Sequence, residues 1–407
     1  MPLLNKVRTA MTGGPGGDNA TRSLTRLRSA LTLFFALDGF LFAGWVVRIP
    51  AVKQQTGASA GDLGLALLGV SAGAVITMTL TGRLCRRYGS HAVTVVTAVL
   101  LSLSVTLPAL TRSPLALGLV LLVFGAAYGG INVAMNSAAV DLVAALRRPV
   151  MPSFHAAFSL GGMLGAGLGG LLAGSLSPTA HLAGLGLVGL ALTALAGPVL
   201  LRHPSPVPHE ALPSPSAAAP RAAGARRTVL VFGVIALCTA YGEGALADWG
   251  ALHLSQDLDA HPGVAAAGYS VFALTMTAGR LSGTALLERL GQTRTLVAGG
   301  ATAAVGMLLG ALAPSVWATL LGFAVTGLGL ANIFPVAVAR AGAVAGPGGV
   351  ATASTLGYGG MLLGPPSIGF LADWFSLPVA LTTVAALAAG AAAMGYWARN
   401  AEATGAR

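Results

Sequence analysis

Long apolar stretches separated by short polar segments run along the whole chain. Each stretch covers about 20 residues, the length that a helix needs to cross the hydrocarbon core of a bilayer. Runs this long and continuous do not fit the alternating pattern of barrel strands. The pattern predicts twelve spanning helices, called spans 1 to 12 in chain order, over 29–49, 62–81, 92–111, 114–142, 152–175, 180–201, 228–253, 262–284, 294–313, 315–341, 349–372 and 375–397. We therefore expect an all-α membrane protein.

Composition supports a membrane protein and argues against other classes. Of the 407 residues, 55% are apolar and 9% are charged, with a mean hydropathy of +0.79. A soluble domain carries roughly 25% charged residues, so a soluble enzyme and a nucleic-acid-binding protein are both disfavoured. Cys85 and Cys238 lie far apart and belong to no metal-binding spacing. We expect no disulfide, no metal site and no cofactor.

Basic residues sort to one side of this arrangement. With both termini on the same side, 19 of the 23 Lys and Arg residues fall on that side. Arg48, Lys53 and Arg112 fall on the other side, and Arg280 lies within a span. Basic residues are enriched in cytoplasmic loops. The distribution predicts a multi-pass protein of the cell (inner) membrane with both termini in the cytoplasm.

The longest connection between spans divides the chain. Segment 202–227 is rich in Pro, Ala and Ser and has no periodic apolar face, which is typical of an extended linker. The predicted organisation is a cytoplasmic tail, a six-helix half, a cytoplasmic linker, a second six-helix half and a cytoplasmic tail, over 1–28, 29–201, 202–227, 228–397 and 398–407.

The two halves repeat one another at a spacing near 200 residues. Trp45 corresponds to Trp249 and Asn132 to Asn332, at spacings of 204 and 200 residues. The string GGML at 161–164 recurs 198 residues later. Matches that keep their order predict two halves related by pseudo-symmetry.

Several strings resemble the major facilitator superfamily, and more narrowly its fucose-permease-like branch. They are WVVRIP at 45–50, NVAMN at 132–136, FHAAFSLGG at 154–162 and EGALADW at 243–249. The superfamily's loop motif after span 2 survives in part, with Arg86 where an Asp is usual. The resemblance implies two six-helix halves with a substrate site between them near the bilayer midplane. It also implies sugar and proton symport.

Two carboxyl groups at membrane depth are the candidates for proton coupling. Asp38 lies near the middle of span 1 with no basic residue within one helical turn, and Glu243 lies in span 7. A charged group at mid-helix costs about 2.5–3.5 kcal/mol on insertion scales, so each needs a reason. The resemblance implies that an acidic residue in span 1 carries the proton. Alternatively, Asp38 is protonated and bonds neighbouring helices.

Polar and aromatic side chains within spans are the candidates for substrate binding. Amides both donate and accept hydrogen bonds, which suits a hydroxylated solute, and aromatic rings can stack on a sugar. The alternative is hydrogen bonding between helices or packing at the membrane interface. The candidates are Asn132, Asn136, Asn332, Trp45, Trp249, Asp248, Phe158, Tyr358 and His155.

Charged residues near the inner ends of the spans are the candidates for gating. We expect them to form charge pairs that hold an inner gate shut, while plain anchoring at the cytoplasmic surface is the alternative. They are Arg83, Arg87, Asp141, Arg147, Arg280 and Glu288.

A glycine-rich string in span 5 matches a nucleotide-binding pattern but indicates helix packing instead. GAGLGG at 165–170 matches GxGxxG but follows no strand, so a nucleotide site fails on context. Gly161, Gly165 and Gly169 recur every four residues, which predicts close packing against a neighbouring helix.

The predicted function is secondary transport by alternating access, with no enzymatic activity. The favoured form is proton-coupled symport of a small polar solute, a sugar first of all. Proton-coupled efflux of drug-like or apolar compounds is the alternative. A non-transporting receptor or an intramembrane enzyme is a distant third, because only His155 among the histidines lies inside a span beside functional neighbours. The expected partners are the solute, protons and membrane lipid, with the chain a monomer.

Overall fold

The computed structural model describes residues 15–58, 60–172, 175–203 and 219–404, which form helices joined by short turns. The helices of the first half are Pro15–Val46, Ile49–Thr56, Ala60–Tyr88, Ser90–Ser104, Pro114–Leu146, Met151–Leu172 and Pro178–Arg202, with a 3-10 turn at Leu107–Leu110. Those of the second half are Ala219–Gln256, Pro262–Leu312, Val316–Leu330, Ile333–Trp374 and Leu377–Thr404.

The predicted twelve spans are confirmed. Ten helical stretches of the described chain are long and apolar enough to cross a membrane, and the two longest each contain two spans. The first of these is broken at Gly291, with φ +77°, and the second at Gly346, with φ +56°. A positive φ favours glycine, which has no Cβ. Gly89, with φ +85°, breaks the chain between spans 2 and 3 as Gly291 does between spans 8 and 9.

Helix extends into three segments that were predicted as tails or linker. The first helix begins at Pro15 and the last ends at Thr404. Span 7 begins at Ala219, so the predicted linker 202–227 is helical from there onwards. The Ala and Arg residues after Ala219 are strong helix formers, and Pro220 stands in the first turn, where proline is tolerated. Residues 1–14, 204–218 and 405–407 lie outside the described residues.

Glycine contacts repeat between the halves and hold the same pairs of spans together. A Cβ at Gly161 of span 5 would overlap the carbonyl oxygen of Ala36 in span 1. A Cβ at Gly360 of span 11 would overlap the carbonyl oxygen of Leu237 in span 7. The predicted close packing of span 5 is confirmed, and it has a counterpart in the second half. Contact without intervening side chains is how helices gain packing energy in lipid.

The two halves meet at the end of the bundle formed by the turns near 82–90, 143–150, 285–294 and 340–350, which we call the terminal face. There Gly82 of span 2 leaves 3.0 Å between an added Cβ and the carbonyl oxygen of Pro347. In span 8, a Cβ added at Gly283 would overlap the side chain of Asn332 in the same half and would lie 2.5 Å from Cβ of Pro152 in span 5. The small residues let the halves close tightly at this face.

The glycine contact in span 5 can be tested against a neighbouring exposed glycine. We expect Gly161→Ala to lower the free energy of unfolding by about 1–3 kcal/mol, because the added methyl group must push spans 1 and 5 apart. Gly167 has open space around it, so Gly167→Ala should change stability by about 1 kcal/mol or less. Thermal unfolding of the two variants in detergent measures the difference. Equal melting temperatures would contradict the packing role.

Candidate functional site

A charged side chain in the middle of the bundle touches both halves. Arg280 of span 8 is 7% exposed. Its Nη2 donates to Oε1 and Oε2 of Glu243 in span 7, at 3.2 and 3.4 Å. Its Nη1 donates to Oγ of Ser159 in span 5, at 2.6 Å. A guanidinium withdrawn from water requires such partners, because its desolvation is costly.

This position corrects the prediction that Arg280 belongs to an inner gate with the other charged residues. Arg280 lies 11 residues before the break at Gly291, or roughly 16 Å along a helix. It is therefore too deep to join the turns of the terminal face. Arg280, Glu243 and Ser159 form the centre of a set of buried polar groups, which we call the central layer.

Asp38 is a second buried carboxyl group of the same layer. Its residue is 0% exposed, and neither carboxyl oxygen has a hydrogen-bond partner among the described residues. Tyr128 of span 4 and Tyr358 of span 11 lie edge to face across the two halves, with ring centroids 6.0 Å apart. Both tyrosines are within electrostatic reach of Asp38 and Glu243. Carboxyl groups of opposite halves thus meet around one pair of rings.

His155 forms the wall of the layer rather than a solvated inner end of span 5. Its ring lies 5.4 Å from that of Phe35 in span 1 and 5.7 Å from that of Phe334 in span 10. Nε2 is buried without a hydrogen-bond partner in the described chain. Ser159, one turn further on, donates to the carbonyl oxygen of His155 at 3.1 Å. The turn therefore presents an unused imidazole nitrogen beside the hydroxyl that binds Arg280.

The three asparagines are buried, and the side-chain amides of Asn136 and Asn332 are half used. Nδ2 of Asn136 donates to the carbonyl oxygen of Asn132 at 2.8 Å, within span 4. Nδ2 of Asn332 donates to the carbonyl oxygen of Gly279 at 3.0 Å, which joins spans 10 and 8. The Oδ1 atoms of all three have no partner among the described residues. The amides thus serve helix contacts and still keep an acceptor for another molecule.

The aromatic and acidic candidates nearer the helix ends are divided. Trp45 is 1% exposed and packs against Phe124 within the first half, with ring centroids 6.4 Å apart. Trp249 packs close to Gly369, and its buried Nε1 has no partner in the described chain. Phe158 is half-buried, and Asp248 is exposed, five residues beyond Glu243.

One of the predicted gate residues, Glu288, forms an exposed ion pair at the terminal face. Glu288 accepts a hydrogen bond from Nε of Arg148 at 2.8 Å, and this exposed pair joins the two halves. Arg148 was not among the gate candidates; its neighbour Arg147 ends the helix with φ +51° and is exposed. An exposed pair contributes about 0–1 kcal/mol, so it cannot hold the halves together alone.

The arginines among the remaining gate candidates make other contacts or are exposed. Arg87 lies over the ring of Tyr88, at 5.2 Å from its centroid. Arg83 is exposed and Asp141 is buried at the inner end of span 4. Arg83, Arg87 and Arg147 form no ion pair with a described residue.

Ser159 and Tyr128 are the central residues that the sequence analysis missed. Ser159 stands one helical turn after His155 in the string FHAAFSLGG at 154–162. The two residues share a helix face, and this spacing could have indicated Ser159 as a candidate. Tyr128 stands two turns before Asn136 in an apolar stretch, and nothing in its spacing indicated a partner in span 11.

The Arg280–Glu243 pair can be tested by a double-mutant cycle. Arg280→Gln and Glu243→Gln each leave a charge buried without its partner, so each should lower the free energy of unfolding by about 3–5 kcal/mol. The double variant should lose less than the sum of the two. Thermal unfolding in detergent measures all four proteins, with Asp373→Asn, at an exposed carboxyl of span 11, as the control. Additive losses would show that the two side chains do not interact.

The chain is similar to known transport proteins over most of its length. The family model of the Major Facilitator Superfamily matches residues 30–249 and again 232–407. An uncharacterised MFS-type transporter of Yersinia pestis is 36% identical over 359 residues, which cover 87% of this chain and 91% of that protein.

Solved structures share the architecture at low identity. FucP in its outward conformation, which is described as the fucose:proton symporter of E. coli, superposes with a TM-score of 0.74 at 16% identity, covering 91% of this chain and 98% of FucP. The human organic anion transporter MFSD10 superposes with a TM-score of 0.74 at 18% identity, and the match covers 91% of this chain and 99% of MFSD10. The matched family model and the bacterial relative, added to the twelve spans in two halves, establish that the chain belongs to the major facilitator superfamily and is a membrane transporter, not an enzyme.

Proposed function

We propose that the protein imports a small polar solute, a sugar first of all, by symport with protons. The observation that carries this proposal is Asp38, a fully buried carboxyl whose oxygens have no hydrogen-bond partner in the described chain. A buried carboxylate without hydrogen-bond donors is unfavourable. Asp38 is therefore stabilised either by protonation or by donors from a bound solute. Proton binding and solute binding can therefore favour the same state.

The surrounding groups suit a hydroxylated solute. Unused oxygens of Asn132 and Asn136 accept hydrogen bonds from hydroxyl groups, and the ring of Tyr358 offers a face for stacking. Glu243 is occupied by Arg280, which leaves Asp38 as the carboxyl that we assign to the proton. The earlier expectation that Glu243 carries a second proton stays a prediction.

Alternating access follows from the contacts between the halves. Arg280 in the second half holds Ser159 in the first, so opening the terminal face must break this bond. We infer that the terminal face is the cytoplasmic one, because most basic residues lie on that side. The chain would then be closed towards the cytoplasm, in keeping with its likeness to FucP, whose structure is described as outward.

Proteoliposomes with an imposed pH gradient test the proposal. We expect accumulation of one solute from a panel of sugars and polyols when the gradient is present. Asp38→Asn should abolish this accumulation, because an amide cannot release a proton. It should retain exchange of labelled for unlabelled solute, which requires no net proton movement. Retained exchange also shows that the variant is folded.

Two controls make the result specific. Asp373→Asn removes an exposed carboxyl and should leave accumulation unchanged. Drug-like cations in the same panel test the efflux alternative, and transport of these alone would contradict the proposal. Unchanged gradient-driven accumulation in Asp38→Asn would exclude this carboxyl from coupling. If the variant lost both accumulation and exchange, Asp38 would instead be required for binding the solute.

A further inference from the structure

A groove on the outer surface of the second half lies between spans 7 and 12, close to the terminal face. It encloses about 420 Å³ and combines two arginines with an apolar floor. The residues that line it are Arg226, Arg227, Leu230, Val231, Val234 and Met394. None of these lining side chains is acidic, so the positive charge at the end of the groove is not neutralised from within it.

The order of these residues along span 7 matches the depth profile of a membrane. Arg227, Leu230 and Val234 follow one another at spacings of three and four residues, which places them on one helix face. Arg226 and Arg227 are exposed and precede the long apolar stretch of the span. Leu230 and Val234 remain 44% and 38% exposed. The groove thus runs about 10 Å along the helix, from the charged end at Arg227 to the apolar side chain of Val234.

A second cavity flanks the same two helices on their inner side. It encloses about 250 Å³ and is lined in part by Phe232, Gln292, Thr293 and Arg340. The guanidinium carbon of Arg340 lies 5.7 Å from the centroid of the Phe232 ring. A third arginine therefore lies at the same end of spans 7 and 12.

We propose that the groove is a binding site for one anionic diacyl phospholipid. The phosphate group binds Arg226 and Arg227, and the beginning of an acyl chain lies along Leu230, Val234 and Met394. Guanidinium groups pair with phosphate oxygens through two hydrogen bonds, and basic pockets between helices on the cytoplasmic side suit acidic headgroups. A zwitterionic lipid fills the apolar floor equally well but gains less from the arginines.

Native mass spectrometry of the full chain in detergent tests the site. The purified protein is titrated with phosphatidylglycerol or phosphatidylcholine of identical acyl chains, and retained lipid is counted. Phosphatidylglycerol should be retained preferentially. The double variant Arg226→Gln/Arg227→Gln should bind it roughly thirtyfold more weakly, as expected for the loss of two arginines near an anionic headgroup.

The matched control removes two arginines at the corresponding end of the first half. Arg22 and Arg26 are exposed near the start of the helix that contains span 1, the repeat counterpart of span 7. Arg22→Gln/Arg26→Gln changes net charge by the same amount and should leave the affinity for phosphatidylglycerol unchanged. Equal loss in both double variants would overturn the site, because only overall charge would then matter.

Two further experiments test the contributions of the acyl chain and of the lipid headgroup separately. Val234→Trp fills the apolar floor while keeping both arginines, and it should weaken retention of phosphatidylglycerol several-fold with an unchanged melting temperature in lipid-free detergent. Full retention in this variant would overturn the acyl-chain assignment. Glycerol phosphate without acyl chains should not compete at equal concentration, and effective competition would also contradict the proposal. No arm measures transport, so the outcome is independent of the proposed function.

Discussion

The cost of a charge withdrawn from water is the constraint that organises this protein. Arg280 lies in mid-bundle, where an unpaired guanidinium would be strongly destabilising. Its partners come from both halves, Glu243 from the second and Ser159 from the first. The hydrogen bonds that satisfy the charge of Arg280 therefore also join the halves. A rotation of one half against the other must break the bond between Arg280 and Ser159. The guanidinium then needs another partner, so its pairing changes whenever the halves move.

Asp38 is the counterpart that this arrangement leaves unsatisfied. Arg280 and Glu243 satisfy each other, whereas both oxygens of Asp38 have no partner in the described chain. Its neutral or bound form is thus favoured over a bare carboxylate. A transporter benefits from such a group, because binding events elsewhere in the layer then change which state of the two halves is stable.

Small residues contribute to packing at the terminal face. Gly82 in span 2 lets the backbone of Pro347 in the other half approach closely, and Gly283 in span 8 leaves room for the side chains of Asn332 and Pro152. The ion pair of Arg148 with Glu288 also joins the halves here, but it is exposed and contributes little. Close contact at this face therefore depends in part on the absence of a Cβ at these two positions.

The sequence by itself determined the class of protein, its twelve spans and its two-fold repeat, because the hydrocarbon core imposes a length and a hydropathy on every span. It also singled out Asp38 and the glycines of span 5, since a charge or a four-residue spacing inside an apolar run is visible without a structure. Only the tertiary structure decided that Arg280 pairs with Glu243, that Tyr128 meets Tyr358, and that Trp45 packs against Phe124. These contacts join spans far apart in the chain, and their geometry depends on how two packed halves face each other.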